Sequence, residues 1–225
     1  MQESSLVGII IATVVGGPLF YAAMCSLVFY FLSRDHEIVK KEMVWKQLKH
    51  AVFSLLSFSP FSVVIQYLVL NGYLGNLYED PLQYGYVYLL LQFPLFLFAA
   101  DTIMYWSHRM LHTKQFYWIH KAHHRYNPIS SFAGSAVDLK DTFLQGLPAN
   151  IIPLIIFPFY IKMFFGISLF AQLWSIYIHS PTAPRITSEK SIIGNNQFHL
   201  KHHLTPTYNY GIYLTFWDRL CGTYA

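Results

Sequence analysis

The apolar residues of this chain fall in long uninterrupted blocks rather than alternating or recurring every third and fourth position. The first runs from Leu6 to Leu32. About 20 apolar residues cross a bilayer, so this block predicts a tilted span, closed by the polar stretch Ser33 to His50. It is too long for the core of a signal peptide, lacks a basic leader and ends in FYFLSRDH rather than at a small-residue cleavage site. A second block, Ala51 to Leu70, ends at NGYLGNLYEDP, whose Asn, Gly, Asp and Pro form turns. A third, from about Leu82 to Trp106, contains Pro94, expected to kink it, and Asp101, expected near the exit or facing the protein interior. The fourth, Phe143 to Tyr177, is broken by Pro148, Pro153, Pro158 and Lys162. At 35 residues it suits a hairpin of two short helices better than one span, and a hairpin returns the chain to its starting side, whereas one crossing would put the membrane between two groups of histidines.

Charge supports that arrangement. When the polar segments are placed alternately, 14 of the 15 Lys and Arg residues fall on the side that carries the histidines. The other side keeps Lys162 at the hairpin turn, with Glu79 and Asp80 after the second span. The positive-inside rule therefore predicts a cytosolic histidine region. The composition, 54% hydrophobic and 12% charged, leaves no basic face for nucleic acid despite a pI near 8.9. Cys25 and Cys221 have no paired spacing, so neither a disulfide framework nor a CxxC zinc site is expected.

Nine of the 11 histidines are grouped: His108 and His112 in HRMLH, His120, His123 and His124 in HKAHH, His179, and His199, His202 and His203 in HLKHH. On a helix, residues three and four apart share a face, so each box aims its imidazoles at one region. A lone HxxxH is usually two solvated histidines. Three boxes beside membrane runs are different, and their imidazoles exceed what one ion needs. Imidazole alone does not distinguish zinc, copper, iron and nickel. Hydrolytic HExxH zinc sites are excluded, since Arg109, Met110 and Leu111 fill the first box. Two ions of four or five ligands each, with no acid inside the boxes, suit dioxygen activation against a lipid C–H bond, for which iron is the usual metal. His36 and His50 lack such company and read as solvated or interfacial. His179 taken alone reads as a helix-end histidine, and its position between the boxes makes it equally a candidate ligand.

The boxes HRMLH, HKAHH and HLKHH, with the ending YNYGIYLTFWDRLCGTY, resemble the fatty acid hydroxylase and sterol desaturase superfamily. Within it, DTFLQGLPANIIPLIIFPFYIKMFF and LWSIYIH are most similar to the lathosterol oxidase group, the delta-7 sterol 5(6)-desaturases. The resemblance covers roughly Asp101 to Tyr224. It implies that His108, His112, His120, His123, His124, His179, His199, His202 and His203 hold two irons. It also implies that electrons come from NADH through cytochrome b5 at the endoplasmic reticulum, and that a sterol is desaturated with dioxygen. The expected fold is all-α: one membrane domain over 1–225, with N-terminal spans over 1–100 and a di-iron region over 101–225. Four or five transmembrane or re-entrant helices would carry a cytosolic, histidine-rich helical cap, and the substrate would enter from the bilayer. Hydroxylation of a sterol methyl, fatty acyl or sphingoid chain is the nearest alternative, and a non-catalytic metal-binding membrane protein is the alternative of another class.

One stretch departs from the family pattern. Where relatives carry a His in an HP pair and another three residues before it, this chain has Asp138 and Ser135. Asp138 is either a replacement ligand or hydrogen-bond partner for an imidazole, or a loop aspartate with no metal role. Asp101, two turns before His108, reads as a partner of a ligand or as a structural acid. Tyr105, Trp106, Tyr117 and Trp118 suggest an interfacial aromatic belt, Trp217, Asp218 and Arg219 a locked C-terminus, and Gly211 and Gly222 turns.

Overall fold

A computed structural model describes residues 5–225 and is built almost entirely of helices. Four are long and apolar enough to cross a membrane: α1, Leu6–Leu32; α2, Lys41–Leu70; α3, Gly85–Leu111; and α6, Ile161–Ile178. Between α3 and α6 lie α4, Tyr117–His124, and α5, residues 139–156, whose second turn over Thr142–Gly146 is π-helical. The C-terminal part adds α7, Asn196–Leu204, and α8, Phe216–Leu220.

The hairpin expected over Phe143 to Tyr177 is present as α5 and α6, which meet at a short strand β2, Pro158–Tyr160. That strand pairs in parallel with β1, Asn76–Tyr78, which lies between α2 and α3. The pairing was not foreseen from sequence, and it fixes the topology. β1 and β2 sit at the N-terminal ends of α3 and α6, whereas His108 and His179 sit at their C-terminal ends. At 1.5 Å per residue these helices are roughly 40 and 27 Å long, so the histidines gather at the end of the bundle away from the sheet.

Two other boundaries differ from expectation. Helix α2 begins at Lys41, ten residues before its apolar block, because Lys41 to His50 extend the helix beyond the membrane layer with a mixed polar face. Helix α3 runs through Pro94 as a single element and continues to Leu111.

Several polar side chains of α1 and α2 are matched to backbone at the histidine end. Buried Tyr21 of α1 donates its hydroxyl to the Phe132 carbonyl (2.9 Å), and Cys25 donates to the Ser131 carbonyl (3.2 Å). Gln47 of α2 donates to the Pro128 carbonyl and accepts from the Ser130 amide, both at 3.1 Å. The loop after α4 is thereby fastened to the first two spans, over a core of Phe29, Ala51, Ile129, Phe132 and Ile176. A second core, including Phe96, Ala100, Leu154, Phe159 and Ile167, binds α3 to the hairpin.

Candidate metal centre

All nine histidines singled out in the sequence converge, and they divide into two groups. His108, His112, His120, His124 and His202 form one; His123, His179, His199 and His203 form the other. Within each group one nitrogen from every ring lies within 4.8 Å of all the rest. The two HxxHH boxes are shared in opposite senses. Helix α4 sends His120 and His124, four apart, to the first group and His123 to the second, whereas α7 sends His199 and His203 to the second and His202 to the first. The groups are adjacent, with the His124 and His203 rings 4.5 Å apart. His112 and His179 occupy equivalent places, each directly after the last residue of its helix. One turn earlier the first group has His108, where the second has Ser175. This is why the groups number five and four.

Local structure explains the placement. Asn195 caps α7, its side chain accepting from the Phe198 amide (2.9 Å), and Asn196 donates to the Ser180 and Ala183 carbonyls (both 2.8 Å), which ties α7 to the loop after His179. Asp35, fully buried just beyond α1, accepts from the Ser180 hydroxyl and from the Thr182 amide and hydroxyl. Gly134 permits the loop after α4 to lie against α6: a Cβ there would stand 2.7 Å from Ser175 Oγ.

Hydrogen bonds fix the outer nitrogen of four rings. His108 Nδ1 donates to the Tyr210 carbonyl (2.8 Å), His202 Nδ1 to the Tyr208 carbonyl (2.7 Å) and His179 Nδ1 to the Ser175 carbonyl (2.7 Å). His120 Nδ1 lies 2.6 Å from a carboxylate oxygen of Asp141. With their Nδ1 protons so committed, these rings turn Nε2 lone pairs inward. His108 Nε2 and His120 Nε2 then face each other at 3.1 Å, and His179 Nε2 faces His123 Nε2 at 3.2 Å and His199 Nε2 at 3.0 Å. Two lone pairs at that distance repel unless a cation lies between them. Imidazole nitrogens at right angles around one ion, each about 2.1 Å away, would be about 3.0 Å apart, so the spacing fits ligands of a common ion. Burial holds the rings neutral, as metal binding requires: it lowers His112 to about 2, His124 to about 3 and His179 to about 4, and takes His123, His199, His202 and His203 well down. The residues present therefore fit a pair of metal ions.

Asp138 stands outside both groups. Its side chain is half exposed and lies 3.8 Å from His50, not from a clustered imidazole. The carboxylate that does meet one is Asp141, three residues on, because the first turn of α5 directs it inward, where it is 2% exposed. Ser135 uses its amide to donate to Tyr21 and brings no ligand. Asp101, fully buried, accepts from the amides of Ile212, Tyr213 and Leu214 at 2.7 to 3.1 Å. It is a structural acid holding the C-terminal segment, with no bond to His108. Asp218 accepts from the Tyr210 and Gly211 amides (2.8 and 2.7 Å), and the segment so held presents the two carbonyls that fix His108 and His202.

Tyr105 is not part of a belt. It is fully buried, with its hydroxyl 3.0 Å from that of Thr223, whereas Trp106 and Trp118 are exposed. Gly211 is required for close approach rather than for a turn, since a Cβ would come 2.2 Å from the Leu214 carbonyl oxygen; Gly222, at φ 69°, does turn the chain. His36 and His50 remain outside, bonded to the Phe29 carbonyl and the Tyr126 hydroxyl.

A cavity of about 720 Å³ opens beside the two groups. His108, His120, His123, His179 and His199 line one end, and residues of α1, α2, α5 and α6 form mostly apolar walls that run along the membrane-spanning bundle.

Comparison with known proteins agrees with this picture. The family model described as fatty acid hydroxylase matches residues 93–223. Lathosterol oxidase of Rattus norvegicus is 33% identical over 97% of this chain and 75% of its own length, and that of Homo sapiens gives the same figures. A Delta(7)-sterol 5(6)-desaturase of Schizosaccharomyces pombe is 32% identical over 93% of this chain and 70% of its own. No solved structure matches significantly. The matched segment begins in α3 and takes in all nine clustered histidines, so the chain belongs to the fatty acid hydroxylase family.

Proposed function

We propose that this enzyme is a membrane sterol desaturase that uses two iron ions and dioxygen to introduce a double bond, at the 5(6) position of a delta-7 sterol. The balance is a pair of adjacent C–H bonds, one dioxygen, two electrons and two protons giving one C=C bond and two waters. The observation that carries the reading is the cavity. It is sized for a small lipid, mostly apolar, set within the spans, and closed at one end by imidazoles of both histidine groups. The 5(6) position follows from the relatives' names.

His108, His112, His120, His124 and His202 would hold one iron and His123, His179, His199 and His203 the other. The bound pair would supply an oxidant strong enough to take hydrogen from an unactivated carbon. The chain's own contribution is positional. Asp141 and the carbonyls of Ser175, Tyr208 and Tyr210 orient the ligand rings, and the cavity walls exclude water and set which carbon faces the histidines. The concentration of Lys and Arg at the histidine end supports a cytosolic site and an anionic electron carrier such as cytochrome b5; an endoplasmic reticulum location and NADH as the electron source are what the family resemblance implies.

Expression in cells that lack their own 5(6)-desaturase tests this. The wild-type chain should convert delta-7 sterols to the 5,7-diene, His123→Ala should abolish conversion, and His36→Ala should retain it. An alcohol in place of the diene would assign a hydroxylase, and equal behaviour of the two variants would refute the site.

A further inference from the structure

Several carboxamides of the spanning helices are satisfied within the protein. Gln47 bonds to the loop after α4, Gln66 donates to Thr13 and Ser62, and Gln92 bonds to Tyr78 and the Tyr160 amide. Gln66 lines the cavity, as does Asn150, which donates to the Gly146 carbonyl (2.7 Å); two other carboxamides of the cavity wall are different. Among the described residues, Gln172 of α6 has its Nε2 buried without a hydrogen-bond partner. The side chain of Gln145, in the π-helical turn of α5 and 6% exposed, makes no hydrogen bond to the described residues. An unmatched buried amide costs roughly 1–3 kcal/mol, and π-helical turns recur where a helix is shaped for function.

Both amides belong to the hairpin and lie close to the histidine end. Gln145 follows Asp141 by about one turn, and Gln172 precedes His179 by seven residues, about 10 Å along the axis. A carboxamide both donates and accepts, as does an alcohol. Among the described residues no Lys or Arg lines the cavity, so away from the histidine end no ammonium or guanidinium group would pair with a phosphate or carboxylate headgroup.

We infer that Gln172 and Gln145 receive the hydroxyl group of a neutral lipid alcohol, which enters hydroxyl first and leaves its apolar tail toward the bilayer. This rests on the proposed sterol reading and deepens it. The hydroxyl is anchored one to two helical turns from the metal ligands, so the carbons presented for oxidation lie a few bonds from it, on the same rigid ring system. Gln172 and Gln145 are specificity-determining residues rather than catalytic ones.

The test compares a delta-7 sterol with its 3-O-methyl ether, by equilibrium binding of the tritiated ligands to the full chain in detergent and by KM in membranes. The ratio of alcohol to ether within one preparation is independent of the fraction folded. The wild type should prefer the alcohol about tenfold or more. Gln172→Met and Gln145→Met should each cut that preference to about threefold or less, chiefly through KM, and Gln172→Asn should restore part of it. No preference in the wild type, or an undiminished preference in both Met variants, would overturn the inference while leaving sterol desaturation intact. A wild type that neither binds nor converts either ligand would remove both.

Discussion

The two histidine groups are built from the same kinds of helix but are held differently. In the five-histidine group, three rings are fixed from behind: His108 and His202 by carbonyls of the C-terminal segment and His120 by Asp141. In the four-histidine group His179 is fixed, by the Ser175 carbonyl; among the described residues His199 and His203 have buried Nδ1 atoms without partners, as His112 Nε2 and His124 Nδ1 have in the first. Rings oriented in advance lose less freedom on binding an ion, so the first group should hold its metal more tightly. The second has one imidazole fewer and Ser175 in the place corresponding to His108, so it is the less saturated of the two. One centre is a rigid anchor and the other an adaptable partner.

The largest effect on that comparison should come from removing a ligand. His179→Ala takes from the four-histidine group the ring held by the Ser175 carbonyl, and turnover should fall to background with loss of one metal per chain, read by elemental analysis beside sterol profiling. Retention of both metals would break the distinction. Next is Asp141→Asn, which keeps the volume but weakens the acceptor for His120. Metal affinity or activity should fall about 10- to 100-fold, with the loss confined to the five-histidine centre. Graded chelation should strip the four-histidine group first in the wild type and reverse or equalise that order in Asp141→Asn.

Acid should act next. The clustered imidazoles are neutral when folded, with His112, His124 and His179 depressed to about 2, 3 and 4, and they regain a value near 6.5 on unfolding. The unfolded chain therefore binds more protons below about pH 6.5, so stability is full above that value and is lost as pH falls from about 6.5 toward 4. Thermal unfolding of metal-free protein should shift to lower temperature between pH 7.5 and 5.5, and a flat or rising midpoint would contradict the neutral cluster. The smallest effect belongs to Asp138→Asn. The side chain of this half-exposed residue faces His50 and no clustered imidazole, so metal content should be unchanged and activity altered less than about twofold, as for surface changes that cost within about 0.5 kcal/mol.

How much of this was legible in the sequence follows from where the signal resides. The spans appear as apolar blocks because the bilayer demands composition as well as length, and the hairpin appears because Pro148, Pro153 and Pro158 interrupt a block too long for one crossing. The histidines appear because helical spacing is written in residue types. The parallel pairing of Asn76–Tyr78 with Pro158–Tyr160 left no comparable mark, since three residues joined by backbone bonds carry no side-chain pattern. For the same reason the carbonyls of Ser175, Tyr208 and Tyr210 were invisible, because any residue can offer one. Asp141 was visible as a residue and missed as a partner. Matching by position to the family's absent histidines pointed to Asp138, whereas the geometry of the first turn of α5 turns the acid three residues later toward His120. Tyr105 was misplaced because an aromatic at the end of a span has the same sequence signature whether it faces lipid headgroups or, as here, the C-terminal segment.

The most direct test of the paired centre is metal stoichiometry in purified protein, measured by elemental analysis and Mössbauer spectroscopy on the wild type, His112→Ala and His199→Ala. Two irons per chain in the wild type, and one in each variant with different spectral parameters, are expected. A single ion in the wild type, or the same residual signal in both variants, would contradict two separate histidine centres.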